Sequence, residues 1–213
     1  MTFTPRILPF GERALFVEVA DTFSDDAVAW SRVLADAWEA SGRGAAIPAY
    51  ASVVLRYDPD ALAAVDAERH ARDLLAAMPR GARTREAARL VEIPTRYDGP
   101  DLADVAERSA MSVDELIAAH AGREYTAYFL GFLPGFAYCG RLDPRIVAPR
   151  LDRPRERVPA GTVAVADGQT ALYPFTSPGG WRLIGSTDVV VFDANADEPV
   201  LIHPGDRVRF VPS

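Results

Sequence analysis

The chain has 213 residues, 49% hydrophobic and 25% charged, with a formal net charge of -7. That composition supports a packed core and excludes long disorder or a collagen-like repeat. The acidic balance argues against a general nucleic-acid or anionic-membrane binder, since both need a basic surface, and leaves local basic patches open.

Starting from the N-terminal end, Arg13 to Val19 alternates Ala14, Phe16 and Glu18 against Leu15, Val17 and Val19, which predicts a strand. Ile7 to Phe10 is expected to pair with it through Gly11-Glu12. Ser24 offers an N-cap, and Trp30, Val33, Leu34, Ala37 and Trp38 recur at helical spacing, giving an amphipathic helix that faces a sheet. Ile47 to Tyr57 reads as one strand around Val53-Val54-Leu55. Asp58-Pro59 then supplies a cap and a first-turn proline for a helix running towards Met78. A strand near Arg89 to Ile93 completes a β-α-β-α-β order, the pattern of a small α/β sandwich over residues 1–85. Polar Arg80 to Arg89 is the expected linker to a second domain, residues 86–213.

The second part opens with a short helical region. Ser112-Val113-Asp114-Glu115 is a capping box, with Met111 and Leu116 as its hydrophobic staple. From Tyr125 the chain consists of short apolar strands punctuated by Pro and Gly. A hairpin is expected from Val163 to Tyr173 around Asp167-Gly168. Val189 to Phe192, Val200 to Ile202 and Arg207 to Val211 read as further strands, with Pro204-Gly205-Asp206 turning the last pair. Closely spaced strands without helical pattern between them imply a closed or nearly closed β-barrel.

Three clusters of Gly, Pro and aromatics fall within this region: Gly131 to Tyr138, Val158 to Val163, and Ser177 to Gly185. Gly permits positive φ while Pro fixes φ, so such clusters specify loop geometry and either build binding loops or turn barrel corners. Arg150 and Arg155 each follow a proline, which holds the preceding backbone extended and aims two guanidinium forks at a carboxylate or phosphate. The alternative is surface pairing with Asp143, Asp152 or Glu156. Ser177, Gly179 and Gly180 are placed to offer backbone N–H groups to an oxyanion, with Trp181 as a wall. Tyr138 and Tyr173 offer hydroxyls. Phe132, Leu133, Pro134 and Phe136 offer an apolar surface.

Several chemistries lack their residues. All 23 basic residues are Arg, so the chain has no Schiff-base, P-loop or biotin-accepting lysine. Nothing resembling a nucleophile elbow surrounds Ser177. Single Cys139 excludes an internal disulfide and reads as a small buried hydrophobe. The three histidines stand at no ligand spacing, so no metal site is expected. His70 is expected on the surface, and His120 at the C-terminal carbonyls of its helix. Met1 to Phe10 carries no signal-like pattern and no run reaches membrane-spanning length, which makes the cytoplasm the expected compartment.

The motifs from Gly131 to Gly185, with Pro149-Arg150, Pro154-Arg155 and Pro204-Gly205-Asp206, resemble those of the KipI family. That family includes the 5-oxoprolinase subunit PxpB, proteins labelled allophanate hydrolase subunit 1, and half of the urea carboxylase carboxyltransferase domain. The resemblance covers about the last 90 residues. It implies an α+β chain: a ferredoxin-like N-terminal α/β sandwich and a cyclophilin-like β-barrel. It further implies a subunit of an ATP-dependent 5-oxoprolinase, working with a PxpC-like subunit (KipA, or allophanate hydrolase subunit 2) and a PxpA-like protein. ATP, with Mg, is then expected at a site shared with a partner. The family's other tasks imply two alternatives, an inhibitor of a sensor histidine kinase and a carboxyltransferase subunit in urea metabolism. After Ile184-Gly185, members often carry Arg then Thr-Pro, where this chain reads Ser186-Thr187-Asp188; Arg182 is the candidate substitute.

Overall fold

A computed structural model describes residues 3–78 and 89–213. The chain divides into two compact units, Met1–Glu86 and Ala87–Ser213. Apart from Arg89, the expected linker lies outside the described residues.

The first unit contains β1 (Arg6–Pro9), β2 (Ala14–Glu18), α1 (Asp25–Ala40), β3 (Ala46–Pro48), β4 (Ser52–Arg56) and α2 (Ala64–Ala77). Its strands form one antiparallel sheet in the order β1-β2-β4-β3. Gly11, at φ +66, turns β1 into β2 as expected, and the Ser24 side chain caps α1 by accepting from Ala27 N. Leu15, Val17, Val53 and Leu55 meet Leu34 and Trp38 in the core. The buried stripe of α1 also takes in Ala27, Ser31 and Ala35. These small residues let helix and sheet approach, and a search for large apolar residues passes over them.

Three expectations for this unit are corrected. The strand expected from Ile47 to Tyr57 is a hairpin, because the chain turns at Ala49, whose N–H bonds to Ser52 O at 2.8 Å, and pairs Pro48 with Val53. The second helix starts at Ala64 rather than after Asp58. Asp58 closes a separate turn, its carboxylate accepting from Asp60 N at 3.1 Å and its carbonyl from Leu62 N at 2.8 Å. The strand near Arg89 to Ile93 belongs to the second unit's sheet.

The second unit begins with that strand, β5 (Leu90–Thr95), then α3 (Leu102–Arg108), α4 (Val113–Ala121), β6 (Tyr125–Leu130) and β7 (Ala137–Gly140). There follow β8 (Arg155–Val158), β9 (Thr162–Ala166), β10 (Gln169–Leu172), β11 (Ser177–Gly179), β12 (Arg182–Ser186) and β13 (Arg207–Pro212). Seven strands form one sheet in the order β12-β9-β10-β7-β6-β13-β5, with β5 parallel to β13. A bridge between Arg96 and Ser186 brings the sheet's two ends together, so the barrel is nearly closed. Gly185 makes this seam feasible: a Cβ there would stand 2.4 Å from Arg96 O.

The capping box forms as expected, with Ser112 and Glu115 each accepting from the other's backbone N–H. The β9–β10 hairpin turns through Asp167 (φ 49) and Gly168 (φ 80), the two positive φ values of a type I′ turn. The strands expected at Val189–Phe192 and Val200–Ile202 reduce to a single bridge, Phe192 with Val200. His120 is also corrected. It is fully buried, with Nδ1 2.7 Å from Tyr97 Oη and Nε2 2.9 Å from Thr170 Oγ1. Thr170 donates its hydroxyl proton to Ala164 O at 3.1 Å, so the network assigns a proton to Nε2 and leaves Nδ1 to accept from Tyr97. Burial pushes this imidazole down to about 3, and it stays neutral.

Strand β9 is buried on both faces. Val163 and Val165 join the large core with Ile93, Ile184 and Phe210. Ala164 and Ala166, with Ala171 of β10, face a second cluster containing Phe136, Tyr173 and Trp181. Small side chains on this wall leave room for large rings above it.

Candidate functional site

The rings come from separated segments, and local backbone geometry brings them together. Between β6 and β7, Gly131 N bonds to Phe136 O at 3.1 Å and Phe136 N to Leu133 O at 3.1 Å, forming a tight loop. Gly135 sits there at φ +77, where a Cβ would stand 2.7 Å from Phe192 Cβ. Phe132 takes φ 65, a strained conformation for a bulky residue. The loop leaves Phe132 60% exposed and buries Phe136. Phe136 is the hub: its ring meets Tyr138, Tyr173 and Trp181 edge-on at 5.0, 5.2 and 5.7 Å.

The opposite wall is the short sheet β8–β11 and the turn into β12. Gly179 is required where it stands, since a Cβ would lie 2.3 Å from Tyr173 Oη. Burial raises the Tyr173 hydroxyl pKa, and a hydrogen bond from the Trp181 backbone partly opposes the rise. Burial also raises that of Tyr138, with Arg150 opposing. Between these walls lies a cavity of about 220 Å³ lined by Phe132, Phe136, Tyr138, Arg150, Pro154, Tyr173 and the run Pro178 to Trp181.

Arg150 is the charged group in that lining. Its Nε donates to Asp167 Oδ2 at 2.9 Å, and its guanidinium carbon lies 5.8 Å from the Trp181 ring centroid. Two hydrogen bonds tie its segment to the opposite wall: Leu151 N to Gly180 O at 2.8 Å and Arg182 Nε to Pro149 O at 2.9 Å. Arg182 also donates to Asp104, and its side chain is only 9% exposed. It is a structural clamp turned away from the lining.

The cavity thus gathers Phe132, Phe136, Arg150, Tyr173, Gly179, Gly180 and Trp181 from the sequence expectation. Arg155, Ser177 and Pro134 are not in its lining. Arg155 Nη2 donates to Asp101 Oδ1 at 2.7 Å, while Asp101 Oδ2 accepts from Leu183 N at 2.7 Å, so Asp101 ties β8 and β12 to the start of α3. Ser177 is buried and its Oγ donates to Pro178 O at 3.1 Å. Pro134 is exposed. The pairing partners of Arg150 and Arg155 are Asp167 and Asp101, which sequence separation hid. Tyr138, whose hydroxyl the sequence also offered, Pro154 and Pro178 complete the lining; the places of the two prolines beside Arg155 and Ser177 in the same motifs were the available signal. Cys139 is buried, and its thiol is pushed up to about 12, as an inert core residue would be. Among the described residues, no group of three His, Cys, Asp or Glu is placed to hold a metal.

The barrel is nearly closed and carries an aromatic cavity edged by one guanidinium. Residues 5–202 match the family described as carboxyltransferase domain, subdomain C and D, and the chain belongs to it. The relationship read from the motifs is thereby borne out. The B subunit of 5-oxoprolinase from Escherichia coli O157:H7 is 48% identical over 128 residues, which are 59% of each chain. The chain therefore spans somewhat over half the length of that relative. The solved structure of TTHA0988 is 39% identical, with a TM-score of 0.83 over 94% of this chain and 40% of its own. The Kluyveromyces lactis urea amidolyase shares the fold alone, with a TM-score of 0.75 at 17% identity over 97% of this chain and 15% of its own. No described helix is long and apolar enough to cross a membrane.

Proposed function

We propose that this chain is a subunit of an ATP-dependent 5-oxoprolinase that opens the lactam of 5-oxoproline to glutamate, and that its cavity receives the lactam acid. The observation that carries this reading is the 48% identity to the B subunit of a 5-oxoprolinase, joined to a cavity whose lining suits a compact anionic ring. Aromatic edges pack against the ring's carbon atoms. Arg150 neutralises its carboxylate, and the Gly179-Gly180 turn lies where backbone N–H groups can steady charge developing on the lactam oxygen.

The lining offers the Arg150 guanidinium, the rings of Phe132, Phe136, Tyr138, Tyr173 and Trp181, and no carboxylate. That donor set does not fit Mg-ATP, whose metal needs oxygen ligands. The reading therefore assigns ATP and Mg to a site completed by a PxpC-like partner, with a PxpA-like protein as the third component. This chain's part is to bind and orient the acid and to exclude water from it.

The test is glutamate formation from 5-oxoproline and ATP by the three assembled proteins. Glutamate should require this chain, and Arg150→Ala should lower kcat/KM by roughly ten- to hundredfold, the loss of a charge-assisted hydrogen bond. No turnover from folded, assembled subunits would overturn the reading.

A further inference from the structure

Arg150 is held in an unusual way for an arginine paired on a surface. Asp167 engages it through Nε, and no hydrogen bond occupies Nη1 or Nη2 among the described residues. One face of the guanidinium lies over Trp181. The main chain on either side of Arg150 is pinned by the bonds from Arg182 to Pro149 and from Leu151 to Gly180. Asp167 is itself fixed: it sits in the type I′ turn, and its N–H donates to Ala148 O at 2.9 Å. A carboxylate that took the terminal pair of nitrogens would satisfy the arginine and fill its fork. A carboxylate that takes Nε sets the orientation and leaves the outer fork for another anion.

We propose that Asp167 is a positioning residue that presets Arg150 as a carboxylate receptor, so that the cavity selects small ring compounds bearing a carboxylate over their uncharged counterparts. The proposal rests on the reading of the cavity as a ligand site, and it adds both the selectivity and the residue that sets it. The pair is half exposed, with side-chain accessibilities of 56% and 53%, so its own contribution to stability is small. Its consequence lies in orientation.

Asp167→Asn is a clean variant, because Asn followed by Gly is itself favoured in a type I′ turn. The full chain, wild type and variant, is titrated by calorimetry with two matched pairs: 5-oxoproline and its carboxamide, and benzoate and benzamide. Wild type should favour each acid over its amide by about tenfold or more. Asp167→Asn should weaken acid binding about threefold and leave amide binding unchanged, and Asp167→Glu should recover part of the loss. Equal effects on acid and amide, no effect, or tighter acid binding would overturn the proposal. A threefold weakening of both acids alone in Asp167→Asn, with no glutamate made by the wild-type complex, would sink the oxoprolinase reading and keep this one. Glutamate production with unchanged selectivity in the variant would do the reverse.

Discussion

Both units present apolar side chains on the outer face of a sheet, with opposite outcomes. In the first unit, Leu8, Phe16, Val54 and Ile47 stand in one cross-strand row, and Leu8 and Ile47 remain 46% and 51% exposed. In the barrel, Ala164, Ala166 and Ala171 on the outer wall are completely buried beneath Phe136, Tyr173 and Trp181. The larger depression, about 570 Å³, is in the first unit and is lined by Phe3, Ile7, Trp30, Leu75 and their neighbours; its charged member, Arg72, is engaged by Glu68 at 2.5 Å. Size therefore does not distinguish the candidate site. Convergence does: rings, a glycine turn and an oriented cation meet in the smaller cavity.

If the first unit depends on ordinary amphipathic packing, emptying its centre should be the most damaging change. Trp38 is completely buried and its Nε1 donates to Arg56 O at 2.9 Å. Trp38→Ala should cost about 3–5 kcal/mol. Hydrogen exchange should show the loss in residues 3–78 and leave the barrel strands protected; equal loss in both units would break the contrast.

The barrel's stability should depend on pH through His120. Its folded pKa is depressed to about 3, against about 6.5 when unfolded. Above pH 6.5 both states are neutral and the stability is fully present. As pH falls towards 3 the unfolded chain takes up the proton first, and stability falls by about 1.4 kcal/mol per pH unit. Denaturant unfolding between pH 6.5 and 4.5 should show this slope, and His120→Gln should flatten it.

At the cavity itself, Gly179→Ala places a methyl group against Tyr173 Oη and Cζ, at 2.3 and 2.9 Å. A cost of about 1–3 kcal/mol is expected from overpacking, with ligand binding reduced more than in the Asp167 variant. Full binding by a normally stable Gly179→Ala protein would show that this turn does not shape the cavity. The smallest effect is at the capping box: Ser112→Ala should cost about 1 kcal/mol, read as a lower melting temperature with unchanged ligand affinity.

Local signals were legible where a short segment decides its own conformation. The Ser24 cap, the Ser112 and Glu115 box and the Asp167-Gly168 hairpin all form as their residues indicated. Most of the cavity lining was legible for a related reason: the glycines, prolines and rings of its loops have few alternative geometries. The helix expected after Asp58 failed because a turn competed for the same carboxylate and carbonyl. The strand expected near Arg89 to Ile93 forms but joins the other unit's sheet, because the hydrophobic alternation of Leu90 to Thr95 states that a strand exists and is silent on its partner, here β13 at the far end of the chain.

Residues close together along the chain were enough to specify the α+β class, the family, the caps and turns, and the loops from which the cavity is made. The choice of which arginine lines that cavity came from long-range packing alone, since Arg150 and Arg155 have the same local setting after proline. Asp101, at the start of α3, takes Arg155, and Asp167 holds Arg150 by Nε beside Trp181. Long-range packing also made His120 a neutral core residue, through Tyr97 and Thr170 from distant segments. Pairing across such separations follows from how the sheet closes, and no local pattern encodes that closure.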